Sequence, residues 1–489
     1  MIIINYFVKM PESTSPNSNF ATEQLCFPSV AGYTVRAEFT GGEISSDFGA
    51  VLLSAIDQRI GLLTPIAKAI KDYRHQSYVT HSMLDLLKQR VFQVASGYED
   101  GNDANTLRRD PLFKMAIGRS PLDSDNNLAS GSTHCRLENS LTTRDVYRIS
   151  QAMMEQFIAG YSEPPKSIIL DMDHTEDATH GQQELSFYNG YYDSHCYLPL
   201  LVFEGTTGAL VAAVLRPGKR PTGAENAMIM KRILKKLRKH WPQTNILLRG
   251  DGHFSNPELM ELVFADGNAN FIFGLGGNPV LLKQAEDLMH QTRNKLAQQQ
   301  ELAKSKNEHP VESARVFGEF EYAAKTWPKV CRVVVKAEVL APNGNMPPKD
   351  NARFIVTNLT NHTPQELYEK EYCARGQAEN LIKQIKNDLK SDRTSAHSFV
   401  ANCGRLLFAA MAYILHQQLR ILGLHDTTLA TAQPKTVILN LFKITTRIKQ
   451  YKDRVLLQLP NACPVKELLA HLCQTLCPPT RRHKKLASP

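Results

Sequence analysis

Two short apolar stretches in the middle of the chain each end in an aspartate, and this feature restricts the possible folds most. Residues 166–173 read as a buried strand, with Ser-Ile-Ile-Leu followed by Asp-Met-Asp. Residues 245–249 form a second such strand, which Gly250 and Asp251 follow directly. An acid that closes a buried strand costs free energy unless a cation or hydrogen bonds compensate. The alternative is a solvated strand end or a helix cap.

The elements around these stretches follow a definite order. Residues 197–204 and 209–215 are apolar strands joined by Gly-Thr-Thr-Gly, and residues 224–240 have helical spacing. A helix that opens near Pro257 and a strand over residues 270–275 follow Asp251. The order strand, hairpin, helix, strand, helix, strand predicts a ribonuclease-H-like core, an α/β fold with a mixed sheet flanked by helices.

Ligands of an open α/β sheet gather at the carboxyl ends of neighbouring strands, where this order places both acids. Asp171 is a rival to Asp173, because alternation along a strand puts the two side chains on one face. Carboxylate oxygens are the ligands that Mg²⁺ or Mn²⁺ prefer, and phosphoryl transfer by two metal ions needs several of them to converge. The sequence therefore predicts a site for two Mg²⁺ ions, with Mn²⁺ as a substitute.

A third acid lies on a later helix. Spacings of three, four and seven residues place Tyr372, Arg375, Glu379 and Lys386 on one stripe of that helix. Glu379 would complete the metal ligands, Arg375 and Lys386 would bind phosphates, and Tyr372 would contact a base or sugar. An ordinary exposed helix with an Arg375–Glu379 ion pair gives the same spacing.

The net charge of +9 favours a polyanionic partner such as double-stranded DNA. Residues 216–240 carry nine Lys or Arg residues against one acid, and the basic tail adds four more. A solvated helix face explains part of this clustering equally well. The predicted DNA-binding side chains outside the third-acid helix are Lys235, Lys236, Arg238, Lys239 and Arg136. Arg136 is included because residues 130–139 suit the second helix of a helix-turn-helix, although any capped helix has the same pattern.

The nine scattered cysteines favour free thiols in a reducing compartment over a disulfide framework. Cys473 and Cys477 lie near His471 and His483, but a zinc site normally needs a second cysteine pair. No apolar run in the sequence approaches the roughly 20 residues that span a bilayer. A cytoplasmic protein without membrane contact is therefore expected.

The third-acid helix carries a family resemblance. Its residues match Tyr-x2-Arg-x3-Glu-x6-Lys, and the chain resembles the DDE transposases of bacterial insertion sequences in the branch with that signature. Within the branch it is most similar to the thirteen-eighty family, from about Gly32 to Leu459. The segments that carry the similarity are Ala-Glu-Phe-Thr-Gly-Gly (37–42), Gly-Tyr-Glu-Asp (97–100), Arg-Leu-Glu-Asn (136–139), His-Gly-Gln-Gln (180–183), Tyr-Asn-Gly-Tyr-Tyr (188–192), Leu-Arg-Gly-Asp (248–251) and Arg-Gly-Gln-Ala-Glu-Asn (375–380).

The resemblance implies a ribonuclease-H-like fold, a β-rich insertion between the second and third acids, and Mg²⁺-dependent cut-and-paste transposition. It implies an Asp-x-Thr pattern at the first acid, which Asp173 fits, and Asp251 and Glu379 as the other catalytic metal ligands. A Ser-Gly pair is expected where this chain has Gly252 and His253. The resemblance further implies terminal inverted repeats and target DNA as partners, a hairpin intermediate, a homodimer on DNA and a bacterial, nucleoid-associated location.

These observations divide the chain into six predicted parts. They are an irregular segment (1–30), a mainly helical DNA-binding domain (31–160), the first part of the core (161–278), a β-rich insertion (279–358), the core helix with the third acid (359–395), and a mainly helical region with a basic tail (396–489). Two other functions stay open: a metal-dependent nuclease without strand transfer, and an inactive descendant that binds DNA as a repressor.

Overall fold

The computed structural model describes residues 24–341 and 347–476, and its centre is an eight-stranded mixed sheet. The predicted basic tail, Cys477 and His483 lie outside the described residues. The strands are β1 (Ser167–His174), β2 (Leu200–Glu204), β3 (Leu210–Val214), β4 (Asn245–Gly250), β5 (Ala269–Leu275), β6 (Ser313–Tyr322), β7 (Cys331–Leu340) and β8 (Lys349–Thr357).

The sheet order is β6-β7-β8-β5-β4-β1-β2-β3. Strands β1, β4 and β5 are parallel, whereas β2 pairs antiparallel with both β1 and β3. The order β3-β2-β1-β4-β5 is consistent with the predicted ribonuclease-H-like core. The predicted insertion begins with helices Pro279–Gln284 and Glu286–Ser305, and its three strands then extend the same sheet through β8, which pairs antiparallel with β5.

The two faces of this sheet carry different helices. Ile168, Leu170 and Met172 share an apolar core with the helices Thr143–Ala159, Gly223–His240 and Pro257–Asp266. The intervening residues, Asp171 and Asp173, face the opposite side, where helical turns over residues 364–388 and the helix Phe399–Leu419 lie. Strand alternation therefore places both aspartates on the third-acid side, as the sequence predicts.

The N-terminal part is mainly helical. Its helices are Gly49–Ile60, Leu63–Ala69, Met83–Ala95, Asp103–Leu107, Pro111–Ala116, Gly131–Ser140 and Thr143–Ala159. They pack around Phe399–Leu419, which joins them to the sheet in one core. The C-terminal region adds helical turns over residues 434–442, a helix Lys466–Leu476 and two strands, Thr446–Gln450 and Val455–Gln458. The strand Thr446–Gln450 pairs antiparallel with both Val455–Gln458 and Ile44–Ser45.

One continuous helical stretch corrects the expectation that no apolar run is long enough to span a bilayer. Among the described residues, Phe399–Leu424 is long and apolar enough to do so, and a bent pair of helices over residues 49–69 also passes jointly. However, 78% of the apolar window in Phe399–Leu424 is buried inside the protein. The stretch also carries Arg405, which bonds to Glu138, and His416, which bonds to the Ala95 carbonyl. These contacts are those of a central core helix.

Two predictions for the N-terminal part are wrong. The segment 1–30 is not irregular throughout, because Leu25–Val30 pairs with Tyr33–Ala37 in a separate two-stranded sheet. The helix Gly131–Ser140 is not the second helix of a tight helix-turn-helix. Fourteen residues (117–130) separate it from the helix Pro111–Ala116, whereas the motif uses a turn of about three to four residues.

Glu138 connects the helix Gly131–Ser140 to two neighbouring helices. Its buried carboxylate accepts from Arg90 Nε at 3.2 Å and from Arg405 Nε at 2.8 Å, so it joins three helices. Its neighbour Arg136 is exposed and bonds only to the Thr133 hydroxyl within the described part of the chain. Glu138 and Arg136 are only two positions apart, but burial gives Glu138 a structural role that the exposed Arg136 does not have.

Glu138→Gln is expected to lower the free energy of unfolding by about 3 kcal/mol, because it leaves two poorly solvated guanidinium groups without a counter-charge. Urea denaturation followed by circular dichroism measures the change. The control Arg136→Gln alters an exposed side chain of the same helix and should stay within about 0.5 kcal/mol of the unmodified chain. Equal effects of the two substitutions would contradict this assignment.

Candidate active site

The register of the parallel strands brings the first two acids to one edge of the sheet. Gly250, the last residue of β4, pairs with Met172 of β1. The next residue along the chain is an acid in both cases, so Asp251 lies opposite Asp173. Neighbouring strands are about 4.8 Å apart, and both backbones therefore deliver a carboxylate to the same place.

The third acid comes from an irregular helical segment. Residues 364–388 form consecutive turns: Pro364–Glu366, π-helical Leu367–Tyr372, 3₁₀ Cys373–Arg375, α-helical Gly376–Lys383 and π-helical Gln384–Asp388. Wide turns of this kind occur often at functional sites. The segment places Glu379 and Lys386 in one cavity of about 340 Å³ with Asp173 and Thr175. The predicted stripe therefore faces the first acid despite the irregular turns.

Arg375 lies between two of the acids. Its Nη1 donates to Asp173 Oδ2 at 3.0 Å, and its Nη2 lies 3.8 Å from Glu379 Oε1. Burial would lower the pKa of Arg375, but Asp173, followed by Tyr372, Asp251 and Glu379, raises it above its usual value. Within the described ranges, no three His, Cys, Asp or Glu side chains stand close enough together to hold a metal ion. A guanidinium instead supplies the positive charge between these carboxylates.

The two strand-end acids have opposite protonation tendencies. Burial, together with the negative charges of Asp251 and Glu379, raises the pKa of Asp173 to about 6, although Arg375 opposes the shift. Burial would also raise the pKa of Asp251, but contacts with His253 outweigh it and the pKa is lowered. The backbone N–H of His253 donates to Asp251 Oδ1 at 2.9 Å, and its Nδ1 lies 3.1 Å from Oδ2. The contact with Arg375 therefore does not offset the burial of Asp173, whereas the contacts with His253 do offset the burial of Asp251.

Asp173→Asn is expected to stabilise the metal-free protein at pH 7.5 by up to about 3 kcal/mol. A raised carboxyl pKa means that the folded chain binds the proton more tightly than the unfolded chain. The stability contributed by Asp173 is therefore present below about pH 4 and is lost as the pH rises through about 6. Urea unfolding in EDTA at pH 5 and pH 7.5 measures the effect. Asp251→Asn should do the reverse and destabilise the protein at pH 7.5, since the pKa of Asp251 is lowered.

Asp171 has a different partner from Asp173. Arg249 Nε donates to Asp171 Oδ1 at 2.6 Å and Nη2 to Oδ2 at 2.8 Å, and both side chains are only 2% exposed. The same guanidinium donates from Nη1 to the Glu371 carbonyl at 2.7 Å, which ties the third-acid segment to the sheet. With both carboxylate oxygens engaged, Asp171 has a structural role, and Asp173 is the better candidate for a ligand.

Tyr372 lies against the backbone beside the second acid. Its hydroxyl oxygen is so close to Gly274 that a Cβ there would lie 2.7 Å from it and 2.9 Å from the amide nitrogen of Gly252. Tyr372 is half-buried, with its ring centre 5.8 Å from the Arg375 guanidinium carbon. The side chain supports the turn that carries Asp251, in addition to any contact with a ligand.

Lys386 and part of the basic helix Gly223–His240, which were predicted to bind DNA, have partners within the protein. Lys386 Nζ donates to the Glu176 carbonyl at 2.6 Å, which fixes it beside Asp173. Lys236 pairs with Glu155, and Arg238 pairs with Asp266 and donates to the Thr244 carbonyl at 2.6 Å. The contacts of Lys236 and Arg238 make them structural residues, which their sequence pattern could not reveal.

Lys235 and Lys239 are exposed. They lie near the amino ends of the parallel strands, whereas the acids lie at the carboxyl ends. The helix Gly223–His240 starts near the carboxyl ends of the parallel strands and ends just before β4 begins, at the opposite edge. At 1.5 Å per residue, its 18 residues span roughly 27 Å. Lys219 and Arg220 precede this helix and share a cavity with His174 and His253. These two cations lie at the site, although in the sequence they are indistinguishable from the other basic residues of the 216–240 segment.

Comparison with known proteins decides the family. The family model described as "Transposase DDE domain group 1" matches residues 27–480, which is nearly the whole chain. This chain is a member of the DDE transposase family. The chain matches none of the curated proteins with which it was compared. The solved structure of the piggyBac transposase synaptic complex with hairpin DNA aligns with a TM-score of 0.38 and 12% identity, over 91% of this transposase and 83% of that chain.

The family assignment confirms the coarser part of the predicted function, a transposase of the DDE type. Such an enzyme is a nuclease and a transesterase.

Proposed function

We propose that this transposase cleaves DNA at the ends of a mobile element and joins them to target DNA, with Asp173, Asp251 and Glu379 as metal ligands. The observation that carries the proposal is that Arg375 contacts both Asp173 and Glu379 at the carboxyl edge of the sheet, where Asp251 follows the neighbouring strand. The three carboxylates offer the hard oxygen donors that Mg²⁺ or Mn²⁺ need. The donor set therefore fits the divalent ions implied by the family.

Asp173, Asp251 and Glu379 would hold a pair of Mg²⁺ ions, which would supply activation of the attacking oxygen and stabilisation of the leaving oxygen. The side chains around the acids then position the DNA. Arg375 donates to Asp173 in the structure, so a phosphate approaching that carboxylate comes within reach of the same guanidinium. Lys386 lines the cavity of Asp173 and Glu379 and adds a second positive charge there. Both are suited to phosphate contacts.

Several finer features belong to the same proposal. The element is a bacterial insertion sequence of the thirteen-eighty family, the reaction is cut-and-paste through a hairpin on the element end, and two copies of the chain assemble on DNA. The Tyr372, Arg375, Glu379 and Lys386 spacing supports the branch. His253 stands where the family pattern has a different residue, and its contacts with Asp251 give it a role in orienting the second ligand.

Incubation of the purified chain with labelled element ends, a target plasmid and Mg²⁺ tests the proposal. Both cleaved ends and ends joined to the plasmid are expected. Cleavage without joined products would instead establish a nuclease, and binding without cleavage would establish an inactive DNA-binding descendant. EDTA should abolish both products.

A further inference from the structure

Asp177 is a buried carboxyl close to the candidate active site, and the proposed metal site does not use it. It lies four residues after Asp173 and is 1% exposed. Burial raises the pKa of Asp177 to about 7, although the Thr394 hydroxyl opposes the shift. Burying a carboxyl in this way costs free energy, and groups with strongly shifted pKa values are concentrated at functional sites. Asp177 is therefore a candidate for a role beyond packing.

The Asp177 carboxylate connects the loop after the first acid to the turn after the third acid. We call residues 175–186 the first-acid loop and residues 389–398, which follow the third-acid segment, the closing turn. Both carboxylate oxygens of Asp177 accept from the hydroxyl of Thr394 in the closing turn, at 2.9 and 3.0 Å. Thr394 is 3% exposed, and its hydroxyl is the one hydrogen-bond donor to this carboxylate among the described residues. The bond is therefore shielded from water and depends on one side chain.

Further hydrogen bonds join the first-acid loop to the closing turn. The amide N–H of Glu184 donates to the His397 carbonyl at 3.0 Å. The His397 ring donates from Nδ1 to the Gln182 carbonyl at 2.7 Å, and Gln183 Nε2 donates to the Thr394 carbonyl at 3.4 Å. The loop that follows the first acid and the turn that follows the third acid are therefore held together as one unit.

The first-acid loop also holds Lys386, the last residue of the stripe on the third-acid segment. Lys386 Nζ donates to the carbonyl of Glu176, the residue before Asp177, at 2.6 Å. The Glu176 carboxylate accepts from the Ser194 hydroxyl at 2.5 Å, and the backbone of Asp177 pairs with that of the buried Tyr197. The carbonyl that holds Lys386 is therefore anchored by side-chain and backbone bonds on both sides of it.

We propose that Asp177 is a positioning residue: bound to Thr394, it holds Lys386 and the end of the third-acid segment beside the first acid before DNA binds. This inference rests on the proposed function, because it takes Asp173 and Glu379 as metal ligands. Groups that are already in place need no reorganisation during the reaction, and small displacements of them reduce the rate strongly. Neither Asp177 nor Thr394 lines the cavity of the two acids, so both act through the residues that they hold.

Hydrogen exchange of the full-length, metal-free protein tests this inference without requiring cleavage. Thr394→Val keeps the shape of the side chain but leaves the Asp177 carboxylate buried without its donor. The amides of residues 376–388 should then exchange about tenfold faster, because local opening becomes easier. Asp177→Ala, which leaves no buried charge, is a second variant without the bond and should show the same change.

Two control variants accompany these substitutions. Thr394→Ser keeps the hydroxyl, so exchange of residues 376–388 should stay within about twofold of the unmodified chain. Thr357→Val also removes a buried hydroxyl, which donates to the Phe271 carbonyl at 2.6 Å, but near the amino end of β5, away from the acids. It should likewise leave the exchange of residues 376–388 within about twofold.

Single-turnover cleavage of a labelled DNA end in Mg²⁺ measures the effect on the reaction. Thr394→Val should cleave about tenfold more slowly at saturating DNA, while its affinity for DNA changes less than about threefold, because misplaced groups affect the transition state more than binding. Thr394→Ser should restore the rate. A bond that only stabilises the fold would not distinguish Thr394→Val from Thr357→Val.

Unchanged exchange of residues 376–388 in Thr394→Val and Asp177→Ala would overturn this inference, whether or not the chain cleaves DNA. Faster exchange with an unchanged cleavage rate would also overturn it, and so would equal effects of Thr394→Val and Thr357→Val. Faster exchange in both variants of a chain that never cleaves supports the positioning role and refutes the cleavage function alone.

Discussion

Glu379→Gln is expected to reduce DNA cleavage by at least about 10³-fold while leaving the fold and DNA binding intact. The Glu379 side chain is 55% exposed and its contact with Arg375 is long, at 3.8 Å, so its charge contributes little to stability. A ligand to a catalytic metal ion contributes several kcal/mol to transition-state stabilisation, and about 4 kcal/mol corresponds to three orders of magnitude in rate. Single-turnover cleavage of a labelled DNA end measures the loss.

The matched control is Gln377→Ala, two residues away on the same helical turn. Gln377 is exposed and does not line the cavity of Asp173 and Glu379. Its replacement should leave the cleavage rate within about twofold of the unmodified enzyme, since surface substitutions rarely exceed about 0.5 kcal/mol. If Glu379→Gln cleaves at the same rate as Gln377→Ala, then Glu379 is not the third ligand.

Arg249→Met is expected to destabilise the enzyme by about 3–5 kcal/mol, the largest stability effect that we predict. The substitution leaves the Asp171 carboxylate buried without its bidentate partner and removes the bond to the Glu371 carbonyl. Chemical denaturation measures the loss, provided that the variant folds.

The double variant Asp171→Leu, Arg249→Met supplies the complementary test. It removes both charges together, so no uncompensated ion stays in the core, and it should be markedly more stable than Arg249→Met alone. Two results would contradict a structural role for this pair. One is a single variant, Arg249→Met, that is as stable as the unmodified enzyme, and the other is a double variant that is less stable than Arg249→Met.

The sequence predicted the core of the fold because its signals are local. The alternation around Asp171 and Asp173, the apolar stretch before Asp251 and the helical spacing around Glu379 each fix one element and one face. The sheet order then follows from a small number of allowed connections. The extension of this sheet by β6, β7 and β8 could not be predicted, because which edge a strand joins depends on tertiary contacts.

The partners of charged side chains were harder to predict than the elements. Lys236 and Arg238 look like Lys235 and Lys239 in sequence, yet their carboxylate partners, Glu155 and Asp266, come from other helices. A signal for Arg249 was present, because an arginine inside an apolar strand needs a buried acid. Asp171 on the neighbouring strand is that acid, and recognising the pair would have settled the choice between Asp171 and Asp173.

Direct measurement of Mn²⁺ binding to the enzyme–DNA complex by electron paramagnetic resonance tests the central claim, that three distant carboxylates form one metal site. The unmodified chain should bind about two ions per protomer. The variant with Asp173→Asn, Asp251→Asn and Glu379→Gln should bind neither of them, although it still binds DNA. Mn²⁺ binding of the same stoichiometry and affinity in this variant would contradict the claim.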